Sequence, residues 1–84
     1  MLSLAYTRRA LKDLAELPAA DSKRIRERLK AYAAAPDAAG QDVTPLKGVA
    51  GDFRLRSGDW RALFTVSGDE MIVYRIGHRR EVYR

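Results

Sequence analysis

The chain has 84 residues, of which 46% are hydrophobic, and this length supports one hydrophobic core but not two. It contains no cysteine, which excludes disulfide bonds and thiolate metal sites and is compatible with a reducing cytoplasm. Sixteen Lys and Arg against eleven Asp and Glu give a net charge of +5, which favours a polyanionic partner such as nucleic acid or an acidic protein.

The N-terminal residues predict a soluble protein without a targeting segment. Residues 1–6 lack the basic start and apolar run of a signal peptide. No stretch approaches the ~20 apolar residues of a membrane span. We therefore expect a single cytoplasmic domain over residues 1–84, with no membrane partner.

A short strand followed by a helix is predicted first. Leu2, Leu4 and Tyr6 alternate with smaller residues, which is the period of a strand. Thr7 can then cap a helix, and Pro18 ends that helix because its ring cannot continue the preceding turn. The apolar residues of this helix recur at helical spacing: Ala10, Leu11, Leu14 and Leu17.

A second helix is predicted to begin within residues 18–22 and to end near Ala35, because Pro36 and Gly40 stop it. The basic residues of segment 23–30 lie mostly off its apolar face. They are interpreted either as a solvated helix face or as a contact for nucleic acid or a protein partner. The apolar stripe of this helix comprises Ile25, Leu29, Tyr32 and Ala33.

The remainder of the chain has the pattern of a sheet. Residues 37–45 have the composition of a loop. Short loops containing glycine separate the strands that follow, which favours antiparallel hairpins. The predicted order is β-α-α-β-β-β, an α+β fold with a small, mostly antiparallel sheet and both helices on one face. The three predicted strands after the loop are residues 53–56, 60–66 and 71–77.

The first of these strands displays two arginines on one face. Arg54 and Arg56 point away from Phe53 and Leu55, because successive side chains alternate across a strand. Two guanidinium groups about 7 Å apart can straddle a phosphate. The same pattern also suits an ordinary strand whose polar side faces water, so the pair alone does not establish a site.

Arg61 strengthens the functional interpretation. It begins an otherwise apolar strand, where a charge is not placed for packing. A buried arginine without a partner is costly in free energy. We therefore expect Arg61 at the sheet edge, paired with Asp52 or Asp59, or facing a functional groove.

The C-terminal half contains a series of motifs: Leu46-Lys47-Gly48, Phe53-Arg54-Leu55-Arg56, Asp59-Trp60-Arg61-Ala62-Leu63-Phe64 and Ile76-Gly77-His78-Arg79-Arg80-Glu81-Val82-Tyr83. With the Leu17-Pro18 junction, this series resembles the RelE/ParE superfamily of bacterial toxins, and more closely its RelE branch. The resemblance implies a microbial ribonuclease type of fold and cleavage of messenger RNA in the ribosomal decoding site without a metal. It also implies a cognate antitoxin that silences the toxin in a hetero-oligomer, and no cofactor.

The resemblance also implies which residues act. In the strand that carries Arg54 and Arg56, the best-known RelE members have lysines. The arginines of this chain keep the positive charge but change its geometry. The residues expected to bind RNA are Lys47, Arg54, Arg56 and Arg80. The residues expected to be catalytic are Arg54, Arg56, Arg61, Arg79 and Tyr83, with His78 as a further candidate.

Alternatives to RNA cleavage remain open. The ParE branch resembles this fold but inhibits DNA gyrase, and it tends to lack the full catalytic set. A gyrase inhibitor without catalysis is therefore the second interpretation, and a basic binding module is the third. A metal enzyme is not favoured, because one histidine and scattered carboxylates do not provide the spacing of metal ligands.

The same residues suit one reaction independently of the resemblance. Attack of the RNA 2′-hydroxyl on the phosphodiester needs a base, cations for the developing charge and an acid for the departing oxygen. Tyr83 is a plausible base if neighbouring guanidinium groups lower its pKa from about 10. Otherwise Tyr83 is a terminal aromatic residue packed on the sheet.

Two residues compete for the role of the acid. Arg79 takes that position by resemblance, yet a guanidinium with a pKa above about 12 gives up a proton reluctantly. His78 has the better matched ordinary pKa of about 6.5. Strand alternation places His78 and Arg79 on opposite faces unless the strand has ended between them.

Overall fold

The computed structural model describes residues 1–38 and 42–83. The elements in chain order are β1 (Ser3–Tyr6), α1 (Arg8–Glu16), α2 (Ala19–Ala34), β2 (Val43–Pro45), β3 (Asp52–Ser57), β4 (Trp60–Ser67) and β5 (Glu70–His78). The strands form one sheet in the order β1-β5-β4-β3-β2, in which β1 is parallel to β5 and every other pair is antiparallel. In the described parts of the chain, neither helix is long and apolar enough to cross a bilayer.

The predicted α+β architecture is confirmed, and the structure adds one short strand to it. The segment Val43–Pro45, predicted as part of a loop, pairs with β3 at the edge of the sheet. Three residues are too few to show strand alternation, and Pro45 lowers the strand propensity further. An edge position tolerates this proline, because only one side of an edge strand is hydrogen-bonded. The predicted helix stop at Gly40 lies outside the described residues.

Local signals place both helices where the sequence predicted them. The hydroxyl of Thr7 accepts a hydrogen bond from the N–H of Ala10 at 3.2 Å, so Thr7 is the N-cap of α1. Leu17 ends α1, and Pro18 immediately precedes α2. Leu17 and Pro18, both with non-helical backbone, therefore separate the two helices.

The main core lies between the helices and one face of the sheet. Its ring contacts include Tyr32 of α2, whose ring centroid is 5.3 Å from that of Phe64. Leu11 is the exception to the predicted apolar pattern, because its side chain is exposed. The buried core residues are Ala10, Leu14, Ile25, Leu29 and Ala33 from the helices and Leu55, Ala62, Phe64, Met71, Val73 and Ile76 from the sheet.

A buried carboxylate joins α1 to β5. One oxygen of Asp13 accepts the backbone N–H of Ile76 at 3.0 Å, and the other accepts the Nε–H of Arg9 at 3.1 Å. Strand β1 pairs with β5 only as far as Val73. Asp13 therefore supplies a partner for the backbone of β5 beyond the paired segment.

Replacing Asp13 by alanine is expected to lower the free energy of unfolding by about 2 kcal/mol, because it leaves the buried N–H of Ile76 without an acceptor. Urea denaturation would measure the change. Glu16→Ala is the matched control on the same helix, since Glu16 is exposed and should change stability by less than about 0.5 kcal/mol. Equal effects of the two substitutions would contradict this role of Asp13.

The chain after β5 folds back over the face of the sheet opposite the helices. The N–H groups of Glu81 and Val82 donate to the carbonyl of His78 at 2.8 and 2.9 Å. Val82 is fully buried above Gly77, where a Cβ atom would stand 3.5 Å from the Cβ of Val82. This packing fixes the position of the following residue, Tyr83.

Candidate functional site

Three arginines of neighbouring strands lie on the face opposite the helices. Arg54 and Arg56 of β3 are exposed, whereas Leu55 between them is 2% exposed and packs in the core. This confirms the predicted alternation. Arg61 of β4 stands directly opposite Arg56 in the antiparallel register, so its side chain belongs to the same face.

The turn after β5 adds a phenol to this face. The NH1 group of Arg54 donates a hydrogen bond to the hydroxyl of Tyr83 at 3.1 Å. Tyr83 is half exposed, and its hydrogen bond with Arg54 lies at the surface, where a ligand can approach. A phenol oxygen held by a guanidinium is an arrangement that can exchange protons with a bound substrate.

Arg79 reaches the same site from the start of that turn. Its backbone N–H donates to the carbonyl of Asp59 at 2.8 Å, and its Nε lies 3.6 Å from the Asp59 carboxylate. Asp59 belongs to the loop between β3 and β4, two residues before Arg61. The ion pair is exposed and contributes little stability. Arg79 lies close enough to Arg61 for its positive charge to lower the pKa of Arg61.

Arg61 occupies the centre of the group. Its NH1 group donates to the carbonyls of Gly58 and Trp60 at 2.8 and 2.9 Å, which fixes the guanidinium. Burial lowers the pKa of Arg61, an electrostatic interaction with Tyr83 opposes this, and the other three arginines lower the pKa further. We call these mutually interacting residues the arginine–tyrosine cluster: Arg54, Arg56, Arg61, Arg79 and Tyr83.

The three options predicted for Arg61 can now be compared. Arg61 is not on an edge strand, because β4 lies between β5 and β3. Within residues 1–38 and 42–83, Arg61 forms no ion pair with Asp52 or Asp59. Asp59 pairs with Arg79, and Asp52 accepts a hydrogen bond from Tyr74. Arg61 therefore faces the shared surface, with backbone carbonyls rather than carboxylates as its partners.

The cluster borders a shallow cavity of about 210 Å³, which is lined by Arg54, Arg56, Thr44 and Asp42. Arg28 of α2 holds Asp42 through an ion pair of 3.3 Å and donates to the carbonyl of Arg56 at 3.2 Å. At least one member of the basic segment 23–30 thus has a structural role. A cationic, solvent-open surface of this kind suits a phosphate group better than an apolar ligand.

His78 lies apart from the cluster. The strand does end at this residue, so alternation no longer determines the direction of Arg79. The Nδ1 atom of His78 accepts the N–H of Arg80 at 3.2 Å, and its ring contacts Trp60 edge to face at 5.8 Å. His78 and Trp60 line a separate cavity of about 450 Å³ beside α1, and Asp13 also lines it.

Two of the four residues predicted to bind RNA lie outside the arginine–tyrosine cluster. Lys47 is exposed in the loop between β2 and β3, and Arg80 is exposed in the turn after β5. In the described chain, neither forms a hydrogen bond to a member of the cluster. Their contact with RNA stays a prediction, as do the catalytic roles of the cluster.

In residues 1–38 and 42–83, no group of three His, Asp or Glu side chains has the arrangement of a metal site.

Tyr74 provides a test of the electrostatics around the sheet. Its hydroxyl donates to the Asp52 carboxylate at 3.0 Å. Burial, this hydrogen bond and the negative charge of Asp52 raise the pKa of Tyr74 from 10.0 to about 12. Because the folded pKa is the higher one, the contact stabilises the fold fully below pH 10 and loses its effect as the pH rises to about 12.

Asp52→Asn is therefore expected to lower the pKa of Tyr74 toward 10.0, because it removes the negative charge. Tyrosine absorbance and the ring resonances of Tyr74 would follow its ionisation as the pH is raised. Asp69→Asn, in the exposed loop before β5, is the control and should leave Tyr74 unchanged. An unaltered titration of Tyr74 in Asp52→Asn would contradict this assignment.

Comparisons with known proteins agree with the fold and with the motifs. The sequence model for the ParE toxin of the type II toxin–antitoxin system parDE matches residues 4–83. No curated protein sequence matches the chain. The toxin fold of the RelB–RelE antitoxin–toxin complex from Methanococcus jannaschii is similar, with a TM-score of 0.80, 26% identity and coverage of 94% of both chains.

Two further solved structures share the fold at lower identity. The isolated E. coli RelE toxin has a TM-score of 0.77 and 17% identity, and the match covers 93% of this chain and 84% of that one. The RelBE2 toxin–antitoxin complex from Mycobacterium tuberculosis has a TM-score of 0.76 and 24% identity, with coverage of 93% and 98%. The chain belongs to the ParE toxin family of type II toxin–antitoxin systems, within the RelE/ParE superfamily, and it has the RelE-like fold.

Proposed function

We propose that this toxin cleaves messenger RNA in the decoding site of the ribosome, by attack of a ribose 2′-hydroxyl on the adjacent phosphodiester. The observation that carries the proposal is the hydrogen bond between Arg54 and Tyr83, within a cluster that contains three further arginines. Fixed cations and a phenol oxygen are the groups that this reaction needs at one place. Membership of the toxin family supports the assignment of this chain as a toxin. The chemistry of the clustered side chains supports RNA cleavage as its reaction.

In the proposed mechanism, Tyr83 acts in its phenolate form: its oxygen takes the proton of the attacking 2′-hydroxyl and becomes a neutral phenol. The guanidinium of Arg54 donates to that oxygen and orients it toward the hydroxyl. Arg61 and Arg56 face the same space and bind the nonbridging oxygens of the phosphate. Their positive charges favour the phosphorane transition state over the substrate, because the transition state carries more negative charge.

Arg79 is the better placed of the two candidates for assisting the leaving oxygen. It belongs to the cluster, whereas His78 lines the separate cavity beside Trp60. An arginine rarely gives up its proton, so we assign Arg79 the donation of a hydrogen bond to the departing 5′-oxygen, which takes its proton from water as the P–O bond breaks. His78 holds the turn through its contact with Arg80 and needs no part in the reaction.

We also propose a cognate antitoxin as the partner that restrains this toxin. The solved relatives from Methanococcus jannaschii and Mycobacterium tuberculosis are toxin–antitoxin complexes. A cluster of four arginines, three of them exposed, favours an anionic partner when no RNA is bound. The active toxin would act in the cytoplasm, on ribosomes that carry messenger RNA.

The direct test combines the purified chain with translating ribosomes and a messenger of defined sequence. We expect cuts at the codon in the decoding site when ribosomes are present, mapped by primer extension. Isolated messenger without ribosomes is the control and should be cut far more slowly. A messenger that stays intact on ribosomes, at a toxin concentration equal to that of the ribosomes, would overturn the proposal.

Inhibition of DNA gyrase is the second candidate function, because the matching sequence family carries the ParE name. It does not require the contact between Arg54 and Tyr83. Purified gyrase with supercoiled plasmid would reveal it as DNA breaks that depend on the chain. Breaks in the plasmid together with an intact messenger would favour this alternative, and neither effect would leave a basic binding module.

A further inference from the structure

The edge strand β2 places a hydroxyl beside the arginine that holds the phenol. Thr44 stands directly opposite Arg54 in the antiparallel register. Its neighbour Val43 packs against the core, opposite the buried Leu55. Thr44 and Arg54 therefore share the face that carries the arginine–tyrosine cluster.

The contacts of Arg54 define the direction of its guanidinium. Its Nε–H donates to the hydroxyl oxygen of Thr44 at 2.9 Å, and its NH1 group donates to the hydroxyl of Tyr83 at 3.1 Å. The guanidinium is planar and rigid, so two bonds from different nitrogens fix both its position and its plane. Thr44 thus anchors one end of the group, and Tyr83 is held at the other.

Such an anchor is needed because the surroundings of Arg54 oppose its position. Arg54 is exposed, and a free arginine side chain loses rotamer entropy when it is fixed. The positive charges of Arg56 and Arg61 repel it from the same face. Without an acceptor on β2, its guanidinium would be expected to move outward into solvent.

A hydroxyl also suits this position better than a carboxylate. An acidic partner would neutralise the charge that Arg54 offers to a phosphate, whereas a neutral acceptor orients the guanidinium and leaves its charge intact. Arg79 illustrates the other arrangement, since it is paired with the carboxylate of Asp59. We infer that Thr44 is a positioning residue, which fixes Arg54 so that Arg54 holds the Tyr83 oxygen for the reaction.

This inference rests on the proposed nuclease function, and its test separates the two. Thr44→Val keeps the shape and strand propensity of the side chain but removes the hydroxyl. In Thr44→Val we expect the Nε–H of Arg54 to exchange with water about ten-fold faster, measured by NMR on the full chain. The single-turnover rate of messenger cleavage on ribosomes should fall about ten-fold, with binding to ribosomes little changed.

Two further variants exclude a merely structural effect. Thr44→Ser restores a hydroxyl and should return both measurements toward those of the native protein. Thr65→Val is the matched control, because the Thr65 hydroxyl donates to the carbonyl of Gly51 and lies outside the cluster. It should alter neither the Arg54 exchange rate nor cleavage.

The outcomes are distinct. Unchanged exchange in Thr44→Val, or faster exchange with a native cleavage rate, would overturn the positioning role. If the native chain cleaves no messenger, the nuclease function fails. Faster exchange that Thr44→Ser reverses would still support the anchoring of Arg54 by Thr44.

Discussion

Arg61→Ala is expected to reduce the rate of messenger cleavage on ribosomes by about 100- to 1000-fold, the cost of removing one preorganised donor to a developing negative charge. Arg61 is suited to this role because two backbone carbonyls fix its guanidinium. No described carboxylate pairs with it, so its charge is available to a phosphate. Partial burial strengthens its interaction with an anion compared with an arginine in water.

The stability of Arg61→Ala should distinguish a functional residue from a structural one. In the native protein, Arg54, Arg56 and Arg79 repel Arg61, so its removal relieves unfavourable charge. We therefore expect the urea midpoint to change little while cleavage is lost. A residue present for packing would show the reverse, with reduced stability and a rate that follows the folded fraction.

Arg24→Ala is the matched control for this experiment. Arg24 is an exposed arginine of α2, and its nearest carboxylate, that of Asp21, is 3.7 Å away. The Arg24→Ala substitution removes the same charge from the chain without altering the cluster. A loss of cleavage rate common to both variants would therefore report a general effect of net charge on ribosome binding. Equal rates for Arg61→Ala and Arg24→Ala would contradict a specific role for Arg61.

Most of the fold was predictable because its signals are local. The spacing of Ile25, Leu29 and Ala33 marks one buried helix face, and the structure buries all three. Thr7 and Pro18 bound α1 through cap and ring chemistry that depends on adjacent residues only. Strand β2 had no comparable signal, since it exists only through its pairing with Leu55, Arg54 and Phe53.

The site was predictable in part, for the same reason. Alternation gave the shared face of Arg54 and Arg56, and the register with β4 extends that face to Arg61. The contact between Arg54 and Tyr83 joins residues 29 positions apart and depends on how the chain turns after β5. Sequence patterns define strand ends only to within a few residues, and a shift of one residue there reverses the direction of a side chain.

The contact of Thr44 with Arg54 could not be predicted from the sequence. From the sequence it is one polar residue in a loop, and nothing in its neighbours marks it as a partner of Arg54. Its role appears only when β2 pairs with β3 and places the two side chains opposite each other. The residues that bind a substrate are marked by their charge, whereas the residue that orients them is marked only by its place in the fold.

Tyr83→Phe is expected to slow cleavage on ribosomes by about 100- to 10,000-fold, because it removes the oxygen that accepts the proton of the attacking hydroxyl. The substitution keeps the ring, so the turn and the packing of Val82 should persist. The loss of one exposed hydrogen bond from Arg54 should change the free energy of unfolding by less than about 1 kcal/mol. The rate should fall at saturating ribosome concentration, as expected for a group that acts in the chemical step.

Tyr74→Phe is the matched control, because it removes a phenol hydroxyl that lies outside the cluster. It also deletes a phenol hydroxyl with one polar partner, but that partner is the Asp52 carboxylate rather than an arginine of the cluster. We expect it to lower stability by about 1 kcal/mol and to leave the cleavage rate at the native value. If Tyr83→Phe also cleaves at the native rate, the phenol oxygen is dispensable, and Tyr83 is an aromatic residue packed on the sheet. The cluster would then bind phosphate without supplying the base, as a purely cationic surface for RNA or another polyanion.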